Sequence, residues 1–235
     1  MDLPFTQQQF FDVFATYNEA VWPIQVVAYV VGALAAVAAF RGGRIADRVV
    51  SGVLAGLWIW VGAVYHYLHF ADVNPSARVF ALLFVVQGVV FLLGGVVFHK
   101  LSFGFSTRPA ALVGAALIAV AAIVYPLWGA LAGHVYPRAP LFAVTPCPLT
   151  VFTFGMLLLA RNRVPLGMIA IPFLWSMIGG SAALFLGVPQ DLTLPVAGLV
   201  GSALLIHRNR SLKKLAAPEA DQAEQKGGGY VHESR

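Results

Sequence analysis

Seven long apolar runs, separated by short gaps, constrain this chain more than any other feature. They lie at about Val21–Phe40, Val49–Phe70, Val79–Phe98, Ala110–Leu131, Leu149–Ala160, Pro165–Gly187 and Leu192–His207. A helix needs about 20 residues to cross the hydrocarbon core of a bilayer, within a range of roughly 17–25. No water is available there to pair backbone N–H and C=O groups, so runs of this length must close their hydrogen bonds internally as helices. The fold expected is therefore all-α: a polytopic membrane helical bundle with seven transmembrane helices. Composition agrees, because only 11% of residues are charged and 59% are hydrophobic, against roughly 25% charged in a soluble domain. The fifth and seventh runs are short. Each must borrow from its flank, from Phe142 onward in one case and from Pro189 in the other. Alternatively, the fifth starts as broken backbone around Pro146 and Pro148, which a membrane accepts only where protein or water covers it.

The gaps set an orientation. Arg41, Arg44 and Arg48 follow the first run, Lys100 and Arg108 the third, and Arg161 and Arg163 the fifth. Arg208, Arg210, Lys213 and Lys214 follow the seventh. The alternate gaps hold only Arg78 and Arg138 as cations, beside Asp72 and Asp191. Cytoplasmic loops carry the excess of Lys and Arg, so the N-terminus is expected outside and the C-terminus in the cytoplasm of a cell inner membrane. The net charge of +5 is spent on this topology and forms no nucleic-acid-binding stripe. The partner expected is the lipid bilayer, with no nucleic acid. A homo-oligomer or a partner in a membrane complex stays open. One cysteine, Cys147, excludes an internal disulfide.

Three regions follow. Residues 1–20 read as an N-terminal amphipathic interfacial helix. Thr6 followed by Gln9 is a capping-box pattern, and Phe10, Phe14 and Tyr17 recur at helical spacing. This segment lacks the basic start and apolar core of a signal peptide. It either packs over the bundle end or acts as a lid. Residues 21–210 form the seven-helix domain. Residues 211–235 are charged, Gly-rich and poor in apolar residues, the composition of a disordered cytoplasmic tail.

The topology sorts polar residues by side. The outer ends collect Glu19, His66, His69, Asp72, His134, Cys147 and Asp191, with Tyr65 beside them. Histidine, thiol and carboxylate are ligand types for zinc, copper or iron, and His66 and His69, three apart, share a face of an α-helix. The metal set considered is His66, His69, Cys147 and His134, with Glu19, Tyr65, Asp72 and Asp191 lining a polar site. Each residue also has a plainer reading. The two histidines can bond to neighbouring carbonyls inside an aromatic belt. Cys147, between two prolines, can be a small buried residue. Asp191 can cap the last span.

The stretches PFTQQQFFDVFATYNEAVWP, YHYLHFADVNP, HVYPRAPLFAVTPCPLTVFTFG and GGSAALFLGVPQDL resemble the bacterial polytopic membrane family catalogued as domain of unknown function 6064. The resemblance covers nearly the whole chain except the tail. It implies an integral membrane protein and carries no catalytic role to any residue.

Function is expected among small transporters, channels or metal-handling proteins, with the site at the outer end of the second span. The alternative is a structural or assembly subunit without chemistry of its own. A zinc-dependent membrane hydrolase ranks lower, because the last span has no histidine within its body; the favoured readings are not enzymes. A retinal pigment needs a Schiff-base lysine inside a span, and none of the seven runs contains one.

Overall fold

The structure, a computed structural model, describes residues 4–228, and side chains as far as residue 214. The described residues are helical throughout and contain no named strand. Helix α1 (Gln7–Ala20) starts at Thr6, whose side chain accepts from the Gln9 N–H while the Gln9 side chain returns to the Thr6 backbone. The expected capping box is thus present. Helices α2 (Ile24–Arg41), α3 (Arg44–Trp60) and α4 (Ala77–Phe91) follow. Two of them change winding as they continue: α3 into wide π-type turns at Val61–His69 and a tight turn at Phe70–Asp72, and α4 into π-type turns at Leu92–Val97. Helix α5 (Pro109–Ala119) continues through Val120–Val124 into α6 (Tyr125–Leu131). Helices α7 (Pro146–Leu158), α8 (Gly167–Phe185) and α9 (Thr193–Gly228) complete the chain.

Among the described residues, six helical stretches are long and apolar enough to cross a membrane: Ile24–Arg41, Arg44–Asp72, Ala77–Val97, Pro109–Leu131, Gly167–Phe185 and Pro189–Lys214. Their outward residues, such as Leu34, Leu82, Leu127 and Leu184, are apolar and exposed. The fifth apolar run departs from expectation. Its helix, α7, has 13 residues, about 20 Å at 1.5 Å per residue, against a hydrocarbon core of about 30 Å. It begins at Pro146, because the first helical turn has no use for the missing N–H. Every one of its residues is buried, with α3, α5, α8 and α9 packed against it. The approach to α5 is closest where two glycines meet. A Cβ on Gly114 would stand 2.7 Å from the Gly155 carbonyl, and one on Gly155 would stand 2.9 Å from the Gly114 carbonyl.

Helix α9 continues to Gly228, in keeping with the strong helix propensity of its Leu, Ala, Glu, Gln and Lys residues. Residues 229–235 lie outside the described residues.

Candidate functional site

The π-type turns at Val61–His69 decide where the two neighbouring histidines point. Residues three apart on an α-helix are rotated by roughly 60°; wider turns, closed by i→i+5 bonds, open that angle to roughly 115°. His66 and His69 therefore do not share a face, contrary to the spacing argument. His66 is fully buried. Its imidazole sits edge-on to Phe84 and Trp175, at centroid distances of 4.7 and 5.0 Å, with Tyr65, Phe70 and Phe80 around it. Among the described residues, neither ring nitrogen has a hydrogen-bond partner, and neither does Trp175 Nε1. His69 is half-buried beneath α1. Its Nδ1 lies 2.8 Å from the Val64 carbonyl oxygen, and its ring meets the edge of Tyr17.

His66 and Trp175 line a cavity of about 280 Å³. Cys147 and Tyr65 also face it, as do Phe10 and Phe14 of α1. Behind Cys147 stands a buried polar group. The Tyr125 hydroxyl donates to Asp191 Oδ1 at 2.5 Å, and Cys147 lies against Asp191, Tyr125 and Trp175. Asp191 is therefore not spent on a helix cap. The tight turn Pro189–Leu192 carries its carboxylate into the bundle, where it is 1% exposed.

Helix α1 roofs this cavity and is fastened along its length. Gln7 Nε2 donates to the Leu186 carbonyl at 2.9 Å, and Asp12 pairs with Arg138. Asn18 Nδ2 donates to the carbonyls of Pro137 and Ala139 at 2.7 and 2.8 Å. The Tyr17 hydroxyl donates to the Val144 carbonyl at 2.7 Å and accepts from Trp60 Nε1 at 2.9 Å. Burial pushes the Tyr17 phenol well above its ordinary value, with the Trp60 bond acting in the opposite sense. Val144 is presented by a three-residue turn at Ala143: the Val144 N–H bonds to the Phe142 carbonyl at 2.8 Å across Ala143, whose φ is 62°. A positive φ at a non-glycine residue carries strain of order 1 kcal/mol, held here by a segment buried almost throughout from residue 139 to residue 160.

The remaining residues singled out from the sequence fall elsewhere. His134 stacks on Phe11 at 4.5 Å and meets the Gln190 amide at 3.2 Å. Asp72 is exposed and shares a shallow depression with His69 and Asp12. Glu19 is exposed on α1. Among the described residues no three His, Cys, Asp or Glu side chains gather as a metal ion requires. His66 and Cys147 share the cavity, while His69 and His134 belong to other surroundings. Two ligands are fewer than the three or four protein side chains that hold a zinc ion.

Two participants escaped the sequence reading: Trp175 and Tyr125. Trp175 and Tyr125 were each visible as a large amphipathic ring deep inside an apolar run, where its N–H or O–H must find a partner.

No curated protein and no solved structure matches the chain. A family model does match residues 7–216, that of the family of unknown function DUF6064, and the chain belongs to that family.

Proposed function

We propose that this protein is an inner-membrane carrier whose binding step takes place in the His66–Trp175 cavity. The ligand class is a small, mostly apolar molecule bearing a hydrogen-bond acceptor. The observation that supports this reading is a set of three buried atoms on the cavity wall that have no partner among the described residues: both nitrogens of His66 and Nε1 of Trp175. An unsatisfied buried donor or acceptor costs about 1–3 kcal/mol. A ligand that pairs with them recovers part of that cost, while the surrounding phenyl rings supply apolar contact. A mostly apolar wall with a few convergent polar groups is the usual form of a small-molecule site.

In this reading the chain crosses the membrane seven times, with its N-terminus outside. Helix α7 makes the fifth crossing as a short inner helix completed by the buried segment 139–145, and irregular backbone at that depth is allowed because protein covers it. The cavity then opens on the outer side beneath α1, and the arginine-rich connections face the cytoplasm.

Fluorenone and fluorene test the proposal. They share an apolar ring system and differ by one acceptor carbonyl. Quenching of tryptophan fluorescence in detergent-solubilised protein should show fluorenone binding about tenfold more tightly, the equivalent of one good hydrogen bond of about 1.4 kcal/mol. His66→Phe should narrow that preference. Equal affinity for the two compounds, or an unchanged preference in the variant, would overturn the reading.

A further inference from the structure

At the far end of α7 from the aromatic cavity, a second cavity of about 430 Å³ is walled by Arg108, Arg161 and Arg208. Local backbone pairing builds it. Gly104 N–H bonds to the Leu159 carbonyl at 3.1 Å and Arg161 N–H to the Ser102 carbonyl at 2.6 Å, which ties the connection after α4 to the end of α7. Arg161 lies directly across Gly104: a Cβ there would stand 2.0 Å from Arg161 Nε, so a larger residue would displace the guanidinium from this position.

Arg208 reaches in from α9. Its Nη1 donates to the carbonyls of Leu158 and Ala160 at 3.3 and 2.7 Å. Its Nε and Nη2 are buried and, among the described residues, have no partner. The charged group that bears on it is another cation, Arg108. The nearby carboxylate of Asp47 is already engaged, accepting from the Phe103 N–H at 2.7 Å. Helix α5 also starts at this cavity, and among the described residues no side chain caps its N-terminus.

Three guanidinium groups around one cavity, with one edge of Arg208 unpaired, repel one another unless an anion lies between them. A guanidinium presents N–H donors in a fork that matches two oxygens of a phosphate, and a free helix N-terminus adds backbone N–H groups and a favourable dipole. We propose that this cavity binds a phosphate-type oxyanion, held between Arg208 and Arg161 with Arg108 at the rim. Inorganic phosphate and the headgroup of an anionic phospholipid share this chemistry.

The full-length protein decides between the two sources. In the first arm, thermal unfolding is followed in neutral detergent with and without 10 mM inorganic phosphate. In the second, the protein is reconstituted in phosphatidylcholine nanodiscs with and without about one-fifth phosphatidylglycerol. Either ligand should raise Tm by about 3–8 °C at saturation. The double variant R108Q and R161Q alters only exposed arginines and should abolish the rise. A rise with phosphate in detergent identifies a free-phosphate site. A rise only with phosphatidylglycerol identifies a lipid-headgroup site. No rise in either arm, or an equal rise in the double variant, overturns the proposal.

Discussion

Replacing His66 with phenylalanine should make the empty protein more stable. The imidazole is fully buried, touches five aromatic side chains and leaves two nitrogens without partners. Each unsatisfied nitrogen costs about 1–3 kcal/mol. Phenylalanine removes both and keeps a flat ring that can stay edge-on to Phe84 and Trp175. Its greater size adds an overpacking term of typically 1–3 kcal/mol in a filled core, but here the ring borders a cavity of about 280 Å³, which absorbs most of that. The net gain expected is about 1–2 kcal/mol. For a chain of this length that corresponds to about 2–8 °C in Tm, at roughly 2–4 °C per kcal/mol. Differential scanning fluorimetry of both proteins in the same detergent measures it. An unchanged or lowered Tm would refute the reasoning, because it would mean that the His66 nitrogens are satisfied in the resting protein and exert no demand on a ligand.

Two further outcomes follow from other parts of the fold. Tyr17→Phe leaves the Val144 carbonyl and Trp60 Nε1 without the hydroxyl that joins them; at about 1–3 kcal/mol for each stranded group, Tm should fall by about 4–24 °C. The wild type holds the Tyr17 phenol protonated above its ordinary range, so its contribution is fully present below about pH 10 and is lost as pH rises beyond that. The variant's alkaline decline in stability should accordingly be shallower, and a parallel decline would refute the assignment. For topology, single cysteines at Ser76 and at Ser211 in a Cys147→Ser background should label from opposite sides of the membrane, and labelling from one side would reject the proposed orientation.

The sequence disclosed the helical class readily, because membrane solvation leaves few alternatives. Runs of about twenty apolar residues, punctuated by Arg41, Arg44, Lys100, Arg161 and Arg208, read directly as long helices. The α1 cap was legible for a similar reason: Thr6 and Gln9 are local partners and need no knowledge of the rest of the fold. Helix α7 was less so. An apolar run announces burial, but lipid and protein bury it equally well by composition, so nothing local distinguishes a lipid-facing span from an inner helix surrounded by α3, α5, α8 and α9.

The site was legible only one residue at a time. His66, Cys147 and Asp191 stood out because polar groups among apolar residues are costly, yet their grouping depended on two backbone events that spacing does not encode. One is the π-type winding of Val61–His69, which parts His66 from His69. The other is the tight turn at Pro189–Leu192, which carries Asp191 inward to Tyr125 when a cap would have left it at the surface. Both are departures from regular helix, and both lie on the side of the bundle that α1 covers. The regular helices satisfy their own backbone and need nothing more. These two irregular segments, in contrast, deliver an imidazole and a carboxylate that are both buried to one region, beside the Trp175 indole from α8. Local rules are expected to fail where function is placed. At Val61–His69 that failure borders the aromatic cavity, and the binding reading rests on that cavity and not on the spacing of the two histidines.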